Sequence, residues 1–334
     1  MRKLRDSLPQ VAQQISSMGY SLGWTVVKWL PASVASRLFD RIADVLARRA
    51  EFTWQLRLNL GRIVGPENVT EELVRNSLRS YFRYWQEAFR LPRIHKDPIL
   101  LEQLERGVEG IEYLDTSIRE GKGVVLALTH SGNWDMAGVF LVHHCGAFTT
   151  VAERLKPESL YTKFVRFRES LGFEILAHQG NKDHPMQRLR HVLEGGGIVC
   201  LLSERDLRRT GVAVAFFGEE ANMAAGPAKL AQQTGAALHA VHCFYADDAD
   251  TNAAENDKAG DDKRTFSPWR ITITPPIKVT NTAETTQKIA REFENFLRRR
   301  PQDWHMLQPL WNADINSKRQ HEGSQNQEKD VPCE

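Results

Sequence analysis

The sequence predicts an α/β fold with a central mixed, mostly parallel sheet flanked by helices and preceded by amphipathic N-terminal helices. Short apolar runs rich in β-branched residues alternate with stretches of helical spacing. The predicted strands cover residues 123–129, 148–151, 198–202, 212–216, 237–244 and 270–274. Alternation of this kind is typical of a parallel or mixed sheet. The 334 residues, 41% of them hydrophobic and 26% charged, are enough for a substantial core.

Residues 1–62 are predicted to form an amphipathic helical segment that associates with a membrane. Trp24, Trp29 and Phe39 recur at helical spacing among arginines, and ten Lys or Arg against four acidic residues leave six excess positive charges. Basic helices that carry aromatic side chains bind lipid interfaces through apolar burial and attraction to anionic headgroups. The alternative is a helix that packs on its own domain. No run of about 18 apolar residues is present, so we expect no spanning helix.

Residues 63–315 are assigned to a single α/β core. Its predicted helices cover residues 71–89, 136–145, 158–171, 184–193, 227–234 and 284–300. Within the core, residues 246–267 are rich in Asp, Ala, Asn, Glu and Lys, and we interpret them as a mobile acidic insertion. By the same reasoning residues 316–334 are predicted to form a disordered tail.

A polar turn directly after the 123–129 strand carries the first candidate site. His130 and Asp135 stand in an H-x4-D pattern that leaves the strand and enters a helix. If His130 lies in the turn and Asp135 in the first helical turn, the carboxylate reaches Nδ1 of the imidazole, and the oriented His becomes a general base. Helix N-terminal amides near Asn133 favour an anion. The alternative is a structural histidine and a carboxylate that only favours the helix dipole.

A second polar cluster, Ser203 to Asp206, follows the 198–202 strand. Ligands of α/β sheets bind at the carboxyl ends of strands, so Glu204 is predicted either to orient an acceptor hydroxyl or to support His130. An ordinary salt-bridged turn with nearby arginines is the alternative. Arg168 lies on a predicted helix and could meet a phosphate or Glu204, although arginines on helices are usually solvated.

We assign no metal site. His143, His144 and Cys145 are adjacent on a predicted helix, where successive side chains diverge by about 100° and so cannot chelate together. The four cysteines are scattered without C-x-x-C spacing, which indicates neither a zinc site nor a disulfide framework and fits a reducing compartment.

Seven ordered segments together identify a resemblance. They are 130–135 (HSGNWD), 151–158 (VAERLKPE), 166–172 (RFRESLG), 202–207 (LSERDL), 216–218 (FFG), 225–231 (AGPAKLA) and 303–309 (DWHMLQP). Over nearly its whole length the chain closely resembles the actinomycete phosphatidylinositol mannoside acyltransferases, whose superfamily also contains the lipid A late acyltransferases. The insertion and the tail depart from the family pattern but lie outside these segments.

The resemblance implies transfer of a palmitoyl-type chain from acyl-CoA to the 6-hydroxyl of the mannose on the inositol 2-position of phosphatidylinositol mono- or dimannoside. His130 would be the general base, Asp135 its orienting partner, and Glu204 a further catalytic or acceptor-positioning carboxylate. The sequence contains no Ser or Cys in a nucleophile elbow, so we expect direct attack by the hydroxyl without an acyl-enzyme.

We assign Glu153, Arg168, Arg205 and Asn133 to substrate binding. Acyl-CoA serves as a co-substrate and no cofactor is expected. The expected partners are acyl-CoA, mannosylated phosphatidylinositol and an anionic membrane surface, with no nucleic acid. We expect a monomer bound peripherally at the cytoplasmic face of the cell membrane. Three alternatives stay open: another glycolipid acceptor, acyl carrier protein as the donor, and a non-catalytic lipid-binding protein.

Overall fold

A seven-stranded sheet forms the centre of the computed structural model, which describes residues 26–152, 158–177, 185–206, 210–246 and 267–317. Its strands are β1 (Val108–Glu109), β2 (Val124–Leu128), β3 (Thr149–Ala152), β4 (Glu174–Ala177), β5 (Ile198–Leu202), β8 (Ala237–Tyr245) and β9 (Trp269–Ile273), while β6 (Val212–Phe216) and β7 (Glu219–Met223) form a separate antiparallel hairpin. The predicted α/β class with a mixed, mostly parallel sheet is confirmed.

The strand order is β1-β9-β8-β2-β5-β3-β4, and the pairs are parallel except for β8 with β9. At the centre, Leu128 at the end of β2 is in register with Leu202 at the end of β5 and with Val241 in β8. The segments that follow β2 and β5 therefore leave the sheet side by side.

Helices cover both faces of this sheet. Their bounds are α1 (Ala32–Ala47), α2 (Ala50–Val64), α3 (Glu71–Ile94), α4 (Pro98–Arg106), α5 (Ile111–Glu120), α6 (Trp134–Cys145), α7 (Glu158–Ser170), α8 (Pro185–Glu194), α9 (Gly226–Thr234) and α10 (Thr282–Arg299). Val125 and Ala127 of β2 pack with α8, α9 and α10, whereas Val124, Leu126 and Leu128 pack with α3 to α7. Every residue of β2 is buried, as expected for a central strand covered on both faces.

The pair α1 and α2 lies at the N-terminal end of the described chain. Ala35, Phe39 and Ala43, spaced four apart, bury one face of α1, and this helix packs against α3. No helix in the described ranges is long and apolar enough to cross a membrane. Two predicted segments lie almost wholly outside the described residues: of the insertion only Ala246 and Ser267 are described, and of the tail only residues 316–317.

Candidate active site

His130 and Glu204 meet at the carboxyl ends of the paired strands β2 and β5. Nδ1 of His130 lies 2.8 Å from Oε1 of Glu204, and the backbone N–H of His130 donates to the same oxygen at 2.5 Å. Of the two roles predicted for Glu204, the geometry matches support of His130. The parallel register explains this pair. Leu128 lies opposite Leu202, so His130 and Glu204, each two positions further on, lie next to each other.

The protonation states of this pair follow from burial and hydrogen bonding. The Glu204 side chain has no exposed surface, and that of His130 is 32% exposed. Burial opposes the charge of Glu204, but the contacts with His130 outweigh it and lower the carboxyl pKa below its ordinary value. An ionised carboxylate only accepts hydrogen bonds, so Nδ1 of His130 donates to Glu204, and in the neutral form of the ring the lone pair is on Nε2.

Asp135 does not contact the imidazole, so the predicted pairing of His130 with Asp135 is wrong. Asp135 is the second residue of α6, and its buried carboxylate accepts from Nε of Arg168 at 2.8 Å and from the hydroxyl of Tyr84 at 2.9 Å. A buried carboxylate needs a charged partner, and α7 supplies it. Burial opposes the charge of Arg168, yet Asp135 outweighs it and raises the guanidinium pKa. Burial and Asp135 together raise the pKa of Tyr84.

The predicted substrate-binding residues lie in different surroundings. Arg168 forms the ion pair with Asp135. Asn133 caps α6 by accepting from the Met136 N–H, and its Nδ2 donates to Glu87 at 2.7 Å. Arg205 is half-buried beside Glu204. Glu153 lies outside the described residues. The roles of these four side chains in substrate binding stay predictions.

Helix α3 supplies two residues, Tyr84 and Glu87, whose contacts sequence patterning did not reveal. Tyr84 bonds Asp135 and stacks on Trp134 with ring centroids 4.0 Å apart, and Oε2 of Glu87 accepts from Asn133, from the Tyr245 hydroxyl and from the Trp269 indole. These residues sit in a long amphipathic helix, where a polar side chain ordinarily indicates a solvated face. Only the packing of α3 over the turn shows that they are buried.

An apolar cavity lies beside the pair, between α6 and the sheet. It encloses about 690 Å³ of empty space, including space open to solvent, and its lining includes Trp134, Gly138, Leu141, Phe148 and Phe173. Mostly apolar walls with a few polar groups are typical of small-molecule sites. The lining does not include His130, but the Trp134 ring is 5.5 Å from the imidazole, centroid to centroid. Trp134 therefore lies between the cavity and the pair.

Gly132 brings the turn close to β8. Its φ is +53°, and a Cβ there would lie 2.5 Å from the carbonyl carbon of Cys243. Ser131 Oγ bonds the buried His242 Nδ1 at 3.0 Å and Thr129 Oγ1 at 2.7 Å. The turn therefore packs against β8. Its residues 129 and 131–133 are buried, and the His130 side chain is partly exposed.

Within the described ranges, no group of three His, Cys, Asp or Glu side chains is placed to hold a metal ion. The adjacent histidines of α6 point to separate carboxylates: His143 lies 3.4 Å from Glu105, and His144 lies 2.7 Å from Asp115.

Comparison with known proteins shows the family. The family model described as bacterial lipid A biosynthesis acyltransferase matches residues 8–313. A protein of Mycolicibacterium smegmatis is 46% identical over 310 residues, covering 92% of this chain and 94% of the relative. A protein of Mycobacterium tuberculosis strain H37Rv is 44% identical over 319 residues, covering 94% of each chain. Both relatives are named phosphatidylinositol mannoside acyltransferase. The chain therefore belongs to the bacterial lipid A biosynthesis acyltransferase family, and it is an acyltransferase.

Proposed function

We propose that this acyltransferase moves a palmitoyl-type chain from acyl-CoA to the 6-hydroxyl of the mannose on the inositol 2-position of phosphatidylinositol mono- or dimannoside. The observation that carries the proposal is the His130–Glu204 pair beside an apolar cavity. The acceptor is inferred from the two relatives named phosphatidylinositol mannoside acyltransferase, whose similarity covers more than nine-tenths of this chain.

In the proposed reaction the mannose oxygen attacks the thioester carbonyl carbon. Nε2 of His130 takes the hydroxyl proton, the new C–O ester bond forms, and the C–S bond breaks as the CoA thiolate leaves. The thiolate or bulk solvent then takes the proton from the imidazolium. Glu204 holds the Nδ1–H tautomer and stabilises the imidazolium while it exists.

The acyl chain is proposed to occupy the cavity between α6 and the sheet, with its thioester carbonyl beside His130. The apolar walls would remove the methylene groups from water, at about 0.8 kcal/mol for each buried CH₂. Arg168 and Asp135 also line this cavity. Because they form an ion pair with each other, the acyl chain would not lie against an isolated charge. Glu153, Arg168, Arg205 and Asn133 are kept as the proposed substrate-binding residues.

We further propose that α1 and α2 bind the enzyme to the cytoplasmic face of the cell membrane. Of the ten exposed large hydrophobic side chains in the described part of the chain, eight lie between residues 26 and 54. Val34, Leu38 and Ile42 are spaced four apart on α1 and are exposed, while another face of α1 is buried against α3. Arg37 and Arg41 beside them are exposed and suited to anionic headgroups.

The substrate assignment is tested with purified enzyme, radiolabelled palmitoyl-CoA and a panel of acceptors. The panel contains phosphatidylinositol, its mono- and dimannosides and an unrelated glycolipid, and the acylated hydroxyl is identified by mass spectrometry and NMR. We expect labelled ester at the mannose 6-hydroxyl and none on phosphatidylinositol itself. Transfer only to the unrelated glycolipid would show that the proposed acceptor is wrong. Replacing palmitoyl-CoA by palmitoyl-acyl carrier protein tests the donor. A folded enzyme that binds palmitoyl-CoA but acylates nothing would favour the lipid-binding alternative.

A further inference from the structure

Residues 303–305 run antiparallel to the turn that carries His130. Gly132 N–H donates to the Asp303 carbonyl at 2.9 Å, and His305 N–H donates to the His130 carbonyl at 2.8 Å. Ser131 and Trp304 between them form an antiparallel bridge. The backbone of the turn is therefore paired with 303–305 like a short strand, and the pairing includes His130, the residue that contacts Glu204.

The paired segment is itself anchored by side chains. Oδ1 of Asp303 accepts from the Ser80 hydroxyl of α3 at 2.6 Å, and Oδ2 accepts from the Tyr245 N–H at the end of β8 at 3.1 Å. Ser80 Oγ also lies 3.0 Å from Nε2 of His305. Because the single proton of Ser80 goes to the carboxylate, Nε2 of His305 is the donor in that contact. One hydroxyl therefore ties both ends of the 303–305 segment to α3.

We propose that Ser80 and Asp303 are positioning residues for His130, acting through the 303–305 segment. The inference rests on the proposed role of His130 as the base. A connection between a strand and a helix has few bonds of its own, and the two main-chain bonds to the 303–305 segment fix the two peptide planes on either side of Ser131, the residue after His130. If the segment shifts, Nε2 moves relative to the acceptor hydroxyl while the cavity walls on the sheet and α7 stay in place.

Ser80→Ala tests this inference against a chemically matched control, Ser117→Ala. Ser117 in α5 is also buried, and its hydroxyl contacts a buried histidine, Nε2 of His239, at 2.9 Å. That histidine lies in the middle of β8 and bonds the Thr274 carbonyl instead of the His130 turn. Both substitutions remove one buried hydroxyl, but Ser80 also donates to the Asp303 carboxylate, so Ser80→Ala is expected to lower the melting temperature more than Ser117→Ala.

Ser80→Ala is expected to lower kcat roughly 10- to 100-fold with KM for palmitoyl-CoA within about twofold of wild type, since misplaced reacting groups cost rate more than binding. Ser117→Ala should keep wild-type kcat. Asp303→Asn keeps the Tyr245 bond and can donate to Ser80 in reverse, so its kcat should lie between those of wild type and Ser80→Ala. It carries the test if Ser80→Ala does not fold.

A kcat of Ser80→Ala equal to that of Ser117→Ala, or wild-type kcat in Asp303→Asn when Ser80→Ala does not fold, would overturn the positioning role. His130→Ala separates this failure from failure of the proposed function. If His130→Ala abolishes transfer while Ser80→Ala behaves like its control, only the positioning inference falls. If His130→Ala keeps transfer, the assignment of His130 as the base is wrong, and the positioning inference that rests on it is wrong as well.

Discussion

Replacing Glu204 by glutamine removes the charge of the pair and leaves its shape. Oε1 accepts both bonds from His130, and Oε2 has no hydrogen-bond partner among the described residues, so an amide oxygen can take the place of Oε1. The Nδ1–H tautomer is therefore kept. At the observed 2.8 Å, a carboxylate and an imidazolium attract by about 6 kcal/mol at an effective dielectric constant of about 20. With about half of that charge developed in the transition state, Glu204→Gln should cost about 3 kcal/mol, roughly a 100-fold loss of kcat.

The assay is steady-state transfer of labelled palmitate, with kcat and KM measured separately for donor and acceptor. Thermal melting checks folding, and we expect a small loss of stability because the amide N–H groups that replace Oε2 have no hydrogen-bond partner among the described residues. Wild-type kcat in Glu204→Gln would refute the electrostatic reasoning. A raised KM for the acceptor with unchanged kcat would instead make Glu204 an acceptor-binding residue.

Three further substitutions test the cavity, the membrane surface and the buried ion pair. A Cβ at Gly138 would collide with the Phe173 ring in the cavity wall, so Gly138→Ala should lower transfer of palmitoyl chains more than that of octanoyl chains. Leu38→Glu should weaken binding to anionic vesicles in flotation assays by roughly tenfold, because a charge replaces an apolar side chain at the interface. Asp135→Asn leaves a guanidinium buried without its counter-charge and should lower the unfolding free energy in urea by about 3 kcal/mol.

Each of these predictions has a control. Gly61→Ala, where a Cβ would make only ordinary contacts of 3.5 Å or longer, should keep the chain-length profile, and an unchanged profile in Gly138→Ala would exclude this cavity as the acyl site. Ile99→Glu replaces an equally exposed apolar side chain outside α1 and α2; equal vesicle binding of both glutamate variants would contradict membrane docking by α1. For the ion pair, Asp135→Asn combined with Arg168→Gln should recover part of the lost stability, and no recovery would contradict the pairing argument.

Much of the sheet could be predicted because its central strands carry a strong local signal. The bounds of 198–202 and 212–216 match the predicted ones: the first is an apolar run that ends at Ser203, and the second lies between Gly211 and the Phe217-Gly218 turn. Strands β1, β4 and β7 were missed: β1 has two residues, β4 begins with Glu174, and β7 carries Glu219, Glu220 and Asn222, so none of them shows a continuous apolar run. The sequence also could not tell that 212–216 pairs only with its neighbour in a hairpin, since that depends on tertiary packing.

For the candidate site, support of His130 by Glu204 was one of two roles predicted for that carboxylate, but the pairing of His130 with Asp135 was not correct. The H-x4-D spacing suggested that Asp135 turns back to His130, yet in space the nearer carboxylate is Glu204, 74 positions away. Strand register decides this, and register is not readable from spacing within one segment. Ser80, Tyr84 and Glu87 were missed for a related reason: their burial comes from the packing of α3 over the turn.

The most direct test of the central claim is palmitoyl transfer by His130→Ala compared with wild type, with acyl-CoA binding and thermal melting measured on the same samples. We predict a loss of about 1,000-fold in kcat with unchanged binding, as expected when a general base is removed. Transfer at the wild-type rate by the folded variant would contradict the assignment of His130 as the base.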